Sequence, residues 1–204
     1  WAESVAEDSP PTQPEVFADF EGGDYGDWKV EGEAFGDAPA SGGRTIQVLS
    51  GFKGKGVVNS WTGSDRLQGK LISPDFKIER PFINFLIAGG RDERTLNISL
   101  WVSGKKVRSA AGKQSDAMAW ASWEVAGLVG EQAHIEILDA SSRGWGHIDV
   151  DHIVFSTKPP SKQTEAPFER ATDFGSIALG LLGEERPDIV DIRRSEPGTS
   201  GLFA

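Results

Sequence analysis

The chain contains no cysteine, one methionine, one tyrosine and three histidines in 204 residues. Without cysteine there are no disulfides, no thiol nucleophile and no thiolate-ligated zinc, and the redox compartment stays open. Three histidines, His134, His147 and His152, are too few for a multi-histidine transition-metal centre. Basic charge is also scarce: 21 Lys and Arg against 31 Asp and Glu leave a net charge of −10. A nucleic-acid partner is therefore not expected, because such binders carry a basic face. No apolar run approaches the roughly 20 residues that a membrane-spanning helix needs. The motifs of common hydrolases and nucleotide enzymes are missing as well. There is no Gly-x-Ser-x-Gly elbow, no phosphate loop and no His-Glu-x-x-His. Paired carboxylates for glycoside hydrolysis could be drawn from any of the acids, so their presence carries no weight.

What the chain does have is seven tryptophans and 25 glycines. Three zones separate by composition. Residues 1–15 are acidic and proline-bearing and read as an arm or linker. Residues 16–157 hold dense short apolar runs punctuated by glycine. Residues 158–204 read as a linker and tail, with one short helix expected over 173–183, capped by Thr172 or Asp173 and stopped by Gly183. Beginning at Trp1 rather than Met, the chain reads as processed or cropped; its acidic charge suits export as well as the cytoplasm, and an extracellular or periplasmic location is the expectation.

The central zone alternates with a period near two, the signature of strands. In 95–102, Leu96, Ile98, Leu100 and Val102 share one face, and a Ser103-Gly104 turn returns the chain through 105–110 as a hairpin. Further strands are expected at 15–20, 28–32, 45–49, 56–61, 70–72, 118–125, 133–138 and 147–155. Segment 82–88 is apolar on both faces, as befits a central strand between two layers. About ten short strands with glycine-rich turns point to an all-β fold, an antiparallel β-sandwich of the jelly-roll kind. In the last strand the apolar phase slips: Ile148 and Val150 share one phase, Ile153 and Phe155 the other. A β-bulge at Asp151-His152 is the usual cause.

Several segments, in order and at consistent spacing, resemble one family. They are Asp19-Phe-Glu-Gly-Gly-Asp-Tyr-Gly-Asp-Trp28, Gly51-Phe-Lys-Gly-Lys-Gly-Val-Val-Asn-Ser60, Leu71-Ile-Ser-Pro-Asp-Phe-Lys-Ile78, Ile83-Asn-Phe-Leu-Ile-Ala-Gly-Gly90, Gly104-Lys-Lys-Val-Arg108 and Gly144-Trp-Gly-His-Ile-Asp-Val-Asp-His-Ile153. Residues 16–157 thereby resemble the levan-binding carbohydrate-binding modules attached to fructan-degrading glycoside hydrolases. The resemblance implies a non-catalytic β-sandwich that binds a fructan-type polysaccharide or oligosaccharide and accompanies a catalytic domain. It departs from the family at Arg91-Asp-Glu-Arg94, where further small residues usually follow Gly90.

Sugar-binding jelly rolls also place an early Phe-Glu beside a late Asp to hold a structural calcium ion, so the resemblance implies Ca2+ at Glu21 and Asp151. Hard carboxylate oxygens suit that ion, and a capped strand end with two solvated acids is the plainer alternative. The candidate sugar contacts are Arg91, Arg94, Asp139, Arg143, Trp145 and His147. Between Gly144 and Gly146, the Trp145 indole can offer a face to a sugar ring or plug one end of the sandwich, while His147 can bond a hydroxyl. Planar guanidinium forks suit paired hydroxyls; alternatively, residues 91–94 form a self-neutralising loop. Trp61 stands behind Trp145 as a ligand candidate, and phase assigns most of the other tryptophans to packing. A rival expectation is an interaction subunit that keeps the fold while residues 1–15 and 160–204 dock on partner proteins. A third is a fragment of a glycoside hydrolase.

Overall fold

The computed structural model describes residues 13–41 and 48–161. The tail helix expected over 173–183, most of the arm at 1–15 and most of the strand expected at 45–49 lie outside these residues. Twelve strands are described: β1 (Glu15–Ala18), β2 (Lys29–Gly32), β3 (Ala40–Ser41), β4 (Gly56–Asn59), β5 (Gly69–Ile72), β6 (Phe76–Lys77), β7 (Phe82–Gly89), β8 (Leu96–Val102), β9 (Lys105–Ala110), β10 (Ser115–Glu124), β11 (Gln132–Asp139) and β12 (Ile148–Ser156). One 3-10 turn, Ala126–Leu128, joins β10 to β11. The strands form two sheets, ordered β10-β7-β12-β4-β3 with β1 beside β12, and β2-β5-β11-β8-β9 with β6 beside β11. Every pairing between these strands is antiparallel. This is the expected β-sandwich; β3 and β6, two residues each, are too short for their alternation to register in the sequence.

The inward faces follow the period of two. Ile98 and Leu100 of β8, Ile135 and Ile137 of β11, Phe85 of β7 and Val150 of β12 are fully buried in one core between the sheets. Trp123 belongs to that core, its ring centroid 4.6 Å from that of Phe85. Segment 82–88 is apolar on both sides because β7 lies inside its sheet and is covered twice. Its outer residues Leu86 and Ala88 join Leu49, Val57 and Met118 in a second cluster.

That second cover sets the scene for the polar groups. The β12 bulge falls where the phase slips: the β7 register shifts between Asp151 and Val154, and His152 adopts a φ of +50°. It returns Ile153 and Phe155 to the core and leaves Asp149 and Asp151 on the outer face of their sheet. Both aspartates are nevertheless fully buried, beneath the layer that also covers β7. At the start of the described chain, Arg80 donates to the Gln13 carbonyl at 2.8 Å and to Glu15 at 3.3 Å, which secures the entry into β1.

Candidate functional site

Three loops meet at one end of the sandwich: residues 90–95 between β7 and β8, 111–114 between β9 and β10, and 140–147 between β11 and β12. They approach backbone to backbone, which is where glycine is required. A Cβ at Gly90 would run into the Trp145 carbonyl and Leu96 Cδ1, and one at Gly146 into the Arg143 carbonyl. Between these loops lies a cleft of about 500 Å3, lined among others by Arg91, Arg94, Gln114, Ser142, Arg143 and Trp145. Four of the six residues expected to contact sugar therefore share one cleft. Gln114, which has a φ of +60°, carries no sequence signal beyond a turn-like loop.

The cleft is cationic on an acidic protein, with three arginines against Asp92 among its lining side chains. Arg94 is engaged: its Nε donates to Asp92 Oδ1 at 3.1 Å and its Nη2 to Oδ2 at 3.4 Å. This pairing draws the Asp92 carboxyl below its ordinary range. Within residues 91–94 the loop is thus partly self-neutralising, whereas Arg91 and Arg143 present exposed guanidinium groups. Trp145 holds a φ of +60° and is 39% exposed. Its ring stacks on His147 at 5.6 Å and 28°, which fixes the indole while keeping part of it open.

Asp139 and His147 are not on the cleft wall. The β11 pattern turns Asp139 inward with Ala133, Ile135 and Ile137, and it is 1% exposed. Its Oδ1 accepts from Ser141 N at 3.0 Å, and its Oδ2 has no hydrogen-bond partner among the described residues. Burial pushes this carboxyl up to about 6, against the opposing pull of the Ser60 hydroxyl. His147 is buried among acids instead of facing solvent. Its Nδ1 lies 3.3 Å from Asp65 Oδ1, and its Nε2 lies 3.2 Å from Asp116 Oδ1 and 3.9 Å from Asp149 Oδ2. A buried imidazole committed to carboxylates cannot serve a sugar hydroxyl as well.

Asp116, His147 and Asp149 offer donor atoms within 4.8 Å of one another, a group that could hold a metal ion. The sequence reading overlooked it, although a signal was present: residues one, three and five of His-Ile-Asp-Val-Asp share a strand face. Asp65 and Asp116 come from distant loops and strands, and only the fold adds them.

Glu21 and Asp151 meet the loop between the β4 entry and the chain before it. Glu21 Oε1 accepts from Lys55 N at 2.8 Å and Gly56 N at 2.9 Å. Asp151 Oδ2 accepts from Lys53 N at 2.7 Å. The other oxygen, Asp151 Oδ1, is buried without a hydrogen-bond partner among the described residues. Burial lifts the Asp151 carboxyl to about 6, and the negative charges of Glu21 and Asp19 add to the rise. Asp151 thus offers one hard oxygen of the kind a calcium ion takes, whereas both Glu21 oxygens already accept backbone N–H groups. The alternative of two solvated acids holds for Glu21, which is exposed and caps backbone amides, and fails for Asp151, which is fully buried.

Three further tryptophans divide as their phase indicates. Trp123 is core, while Trp120, three residues earlier, lies on the opposite face with Lys53 Nζ 5.8 Å from its ring. Trp101 covers the outer side of β8, stacked 6.2 Å from His134 and bonded through Nε1 to Ser99.

No protein-family model matches the chain. It is 35% identical over 189 residues to an Aspergillus rugulosus protein named "Putative glycosyl hydrolase ecdE". That alignment takes in 91% of this chain, which spans 27% of the relative's length. Among solved structures, TmCBM61 in complex with β-1,4-galactotriose matches at a TM-score of 0.46 and 15% identity, over 68% of this chain and 94% of that one. The K1 cleaved adhesin domain of Lys-gingipain from Porphyromonas gingivalis W83 matches at 0.44 and 14%, over 72% and 98%. A family 35 carbohydrate-binding module from Clostridium thermocellum matches at 0.35 and 16%, over 71% and 98%. These likenesses carry no ligand to this chain.

Proposed function

We propose that residues 13–161 are a non-catalytic carbohydrate-binding domain whose ligand lies in the cleft beside Trp145. One observation carries the reading: a rigid, partly open indole is bordered by the exposed guanidinium groups of Arg91 and Arg143. A sugar ring stacks its C–H face on the indole, and the planar forks donate in parallel to adjacent hydroxyls. The name of the Aspergillus relative supports a setting beside a carbohydrate-cleaving domain. The family resemblance supports a fructan chain as ligand and an extracellular or periplasmic location. Calcium held by Glu21 and Asp151 would tie the last strand to the segment after β1, a structural and not a catalytic contribution.

Affinity electrophoresis of the full chain through gels containing levan, inulin or galactan, with calcium present, tests this reading. Retardation on a fructan gel is expected, with loss in an Arg91→Ala, Arg143→Ala double variant. A folded chain that no glycan retards would refute it and leave the interaction-subunit reading standing.

A further inference from the structure

The buried histidine cluster is a separate site from the cleft and from the Glu21–Asp151 pair. It begins with a problem of charge. Asp149 lies on β12 between Ala88 of β7 and Asn59 of β4, and it is 0% exposed. Neither of its carboxylate oxygens has a hydrogen-bond partner among the described residues. Burying a carboxylate in this state is unfavourable, so buried charges are ordinarily paired, neutralised by a proton or bound to metal. The nearest opposite group is His147, and its Nε2 faces Asp149 Oδ2 and Asp116 Oδ1 together.

The other side of the ring suggests how that nitrogen is used. Asp65 Oδ1 lies 3.3 Å from Nδ1. A carboxylate at that position holds the proton on Nδ1, as it does behind metal-ligating histidines, and directs the Nε2 lone pair outward. A lone pair directed at two carboxylate oxygens is repulsive unless a cation, either a metal ion or a proton, lies between them. The spacing suits an ion: the Nε2–Oδ separations of 3.2 and 3.9 Å bracket the edge of about 3.4 Å that Zn–N and Zn–O bonds near 2.1 Å give a tetrahedron. One imidazole with two carboxylates is a donor set for a first-row divalent ion, whereas calcium and magnesium take oxygen alone.

We propose that Asp116, His147 and Asp149 form a buried structural site for a divalent transition-metal ion of the zinc class, with Asp65 positioning the imidazole. The ion joins β10, the loop entering β12 and β12 itself, next to the cleft wall, since Trp145 stacks on the liganding ring.

The test is calorimetric titration of the chelator-treated, dialysed full chain with ZnCl2, and with CaCl2 as the contrast. One equivalent of zinc is expected, with binding weakened at least 100-fold in His147→Gln and Asp149→Asn. Asp65→Asn should weaken it about 10- to 100-fold, as an outer partner does. Asp151→Asn, in the other acid pair, should leave it unchanged. If a core variant fails to fold, Asp116→Asn, at a partly exposed position, serves in its place. Nitrogen-15 NMR of the wild-type imidazole gives a second readout, because zinc should move the Nε2 resonance and leave Nδ1 protonated. Zinc binding that is substoichiometric or unchanged in both Asp149→Asn and Asp116→Asn would overturn the site. An imidazole doubly protonated at pH 7.5 and indifferent to zinc would do so too, making the cluster a plain ion-pair network.

Discussion

Replacing Asp139 with Asn tests the electrostatic account of the β11 end quantitatively. The side chain is 1% exposed, with one oxygen satisfied by Ser141 N and the other without a hydrogen-bond partner among the described residues. Asparagine keeps the volume and the Oδ1 acceptor while removing the charge. The folded-state pKa of about 6 lies above the ordinary 3.8. The ionised form therefore opposes folding, fully above about pH 6, and the penalty fades as pH falls toward the unfolded value. About two pKa units correspond to about 3 kcal/mol at most. Relaxation and water entry reduce this, so a gain of about 1–3 kcal/mol is expected for the variant at pH 7.5, roughly 3–9 °C in Tm. At pH 4 both proteins carry a neutral side chain and the difference should largely vanish. Thermal melts of both proteins in chelator at the two pH values measure this. A variant no more stable than wild type at pH 7.5, or a gain that persists undiminished at pH 4, would refute the reasoning.

Phe85→Ala should cost about 3–5 kcal/mol in urea denaturation, since a fully buried ring packed on Trp123 leaves a cavity. Gly90→Ala should cost about 1–3 kcal/mol, because its Cβ meets the rigid Trp145 carbonyl, and it should also weaken cleft binding. Trp145→Ala should cost about 1–3 kcal/mol, since most of the ring is covered and stacks on His147, and should reduce glycan retardation at least tenfold in a chain that remains folded. Glu21→Gln should abolish any calcium-dependent rise in Tm, and a rise equal to that of wild type would remove Glu21 from the calcium site.

Most strands were legible because inward and outward positions alternate with a period fixed by backbone geometry. Leu96 to Val102 and Ala133 to Ile137 announce their buried face without reference to any neighbour. The slip between Val150 and Ile153 was legible for the same reason, since one inserted residue reverses every later side chain. Four cleft residues were also legible, as they lie in two loops flanked by clear strands. Asp139 and His147, expected among the sugar contacts, lie beneath the cleft and not on its wall. Asp139 follows the inward phase of β11 while Ala140 after it lines the cleft, and His147 lies under the Trp145 ring that stacks on it.

The sequence by itself determined the sheet-forming segments, their inward faces, the bulge and the glycines that let three loops approach. Each of these is a local property, written in periodicity or in a missing Cβ. The tertiary structure alone decided that the outer face of β12 is covered, so that Asp149 and Asp151 lie buried and not in solvent. It alone brought Asp65 and Asp116 to His147, and Glu21 to the loop beneath which Asp151 lies. Burial and convergence depend on which strands pair and what layer covers them, and pairings between residues 31 to 98 positions apart leave no local trace.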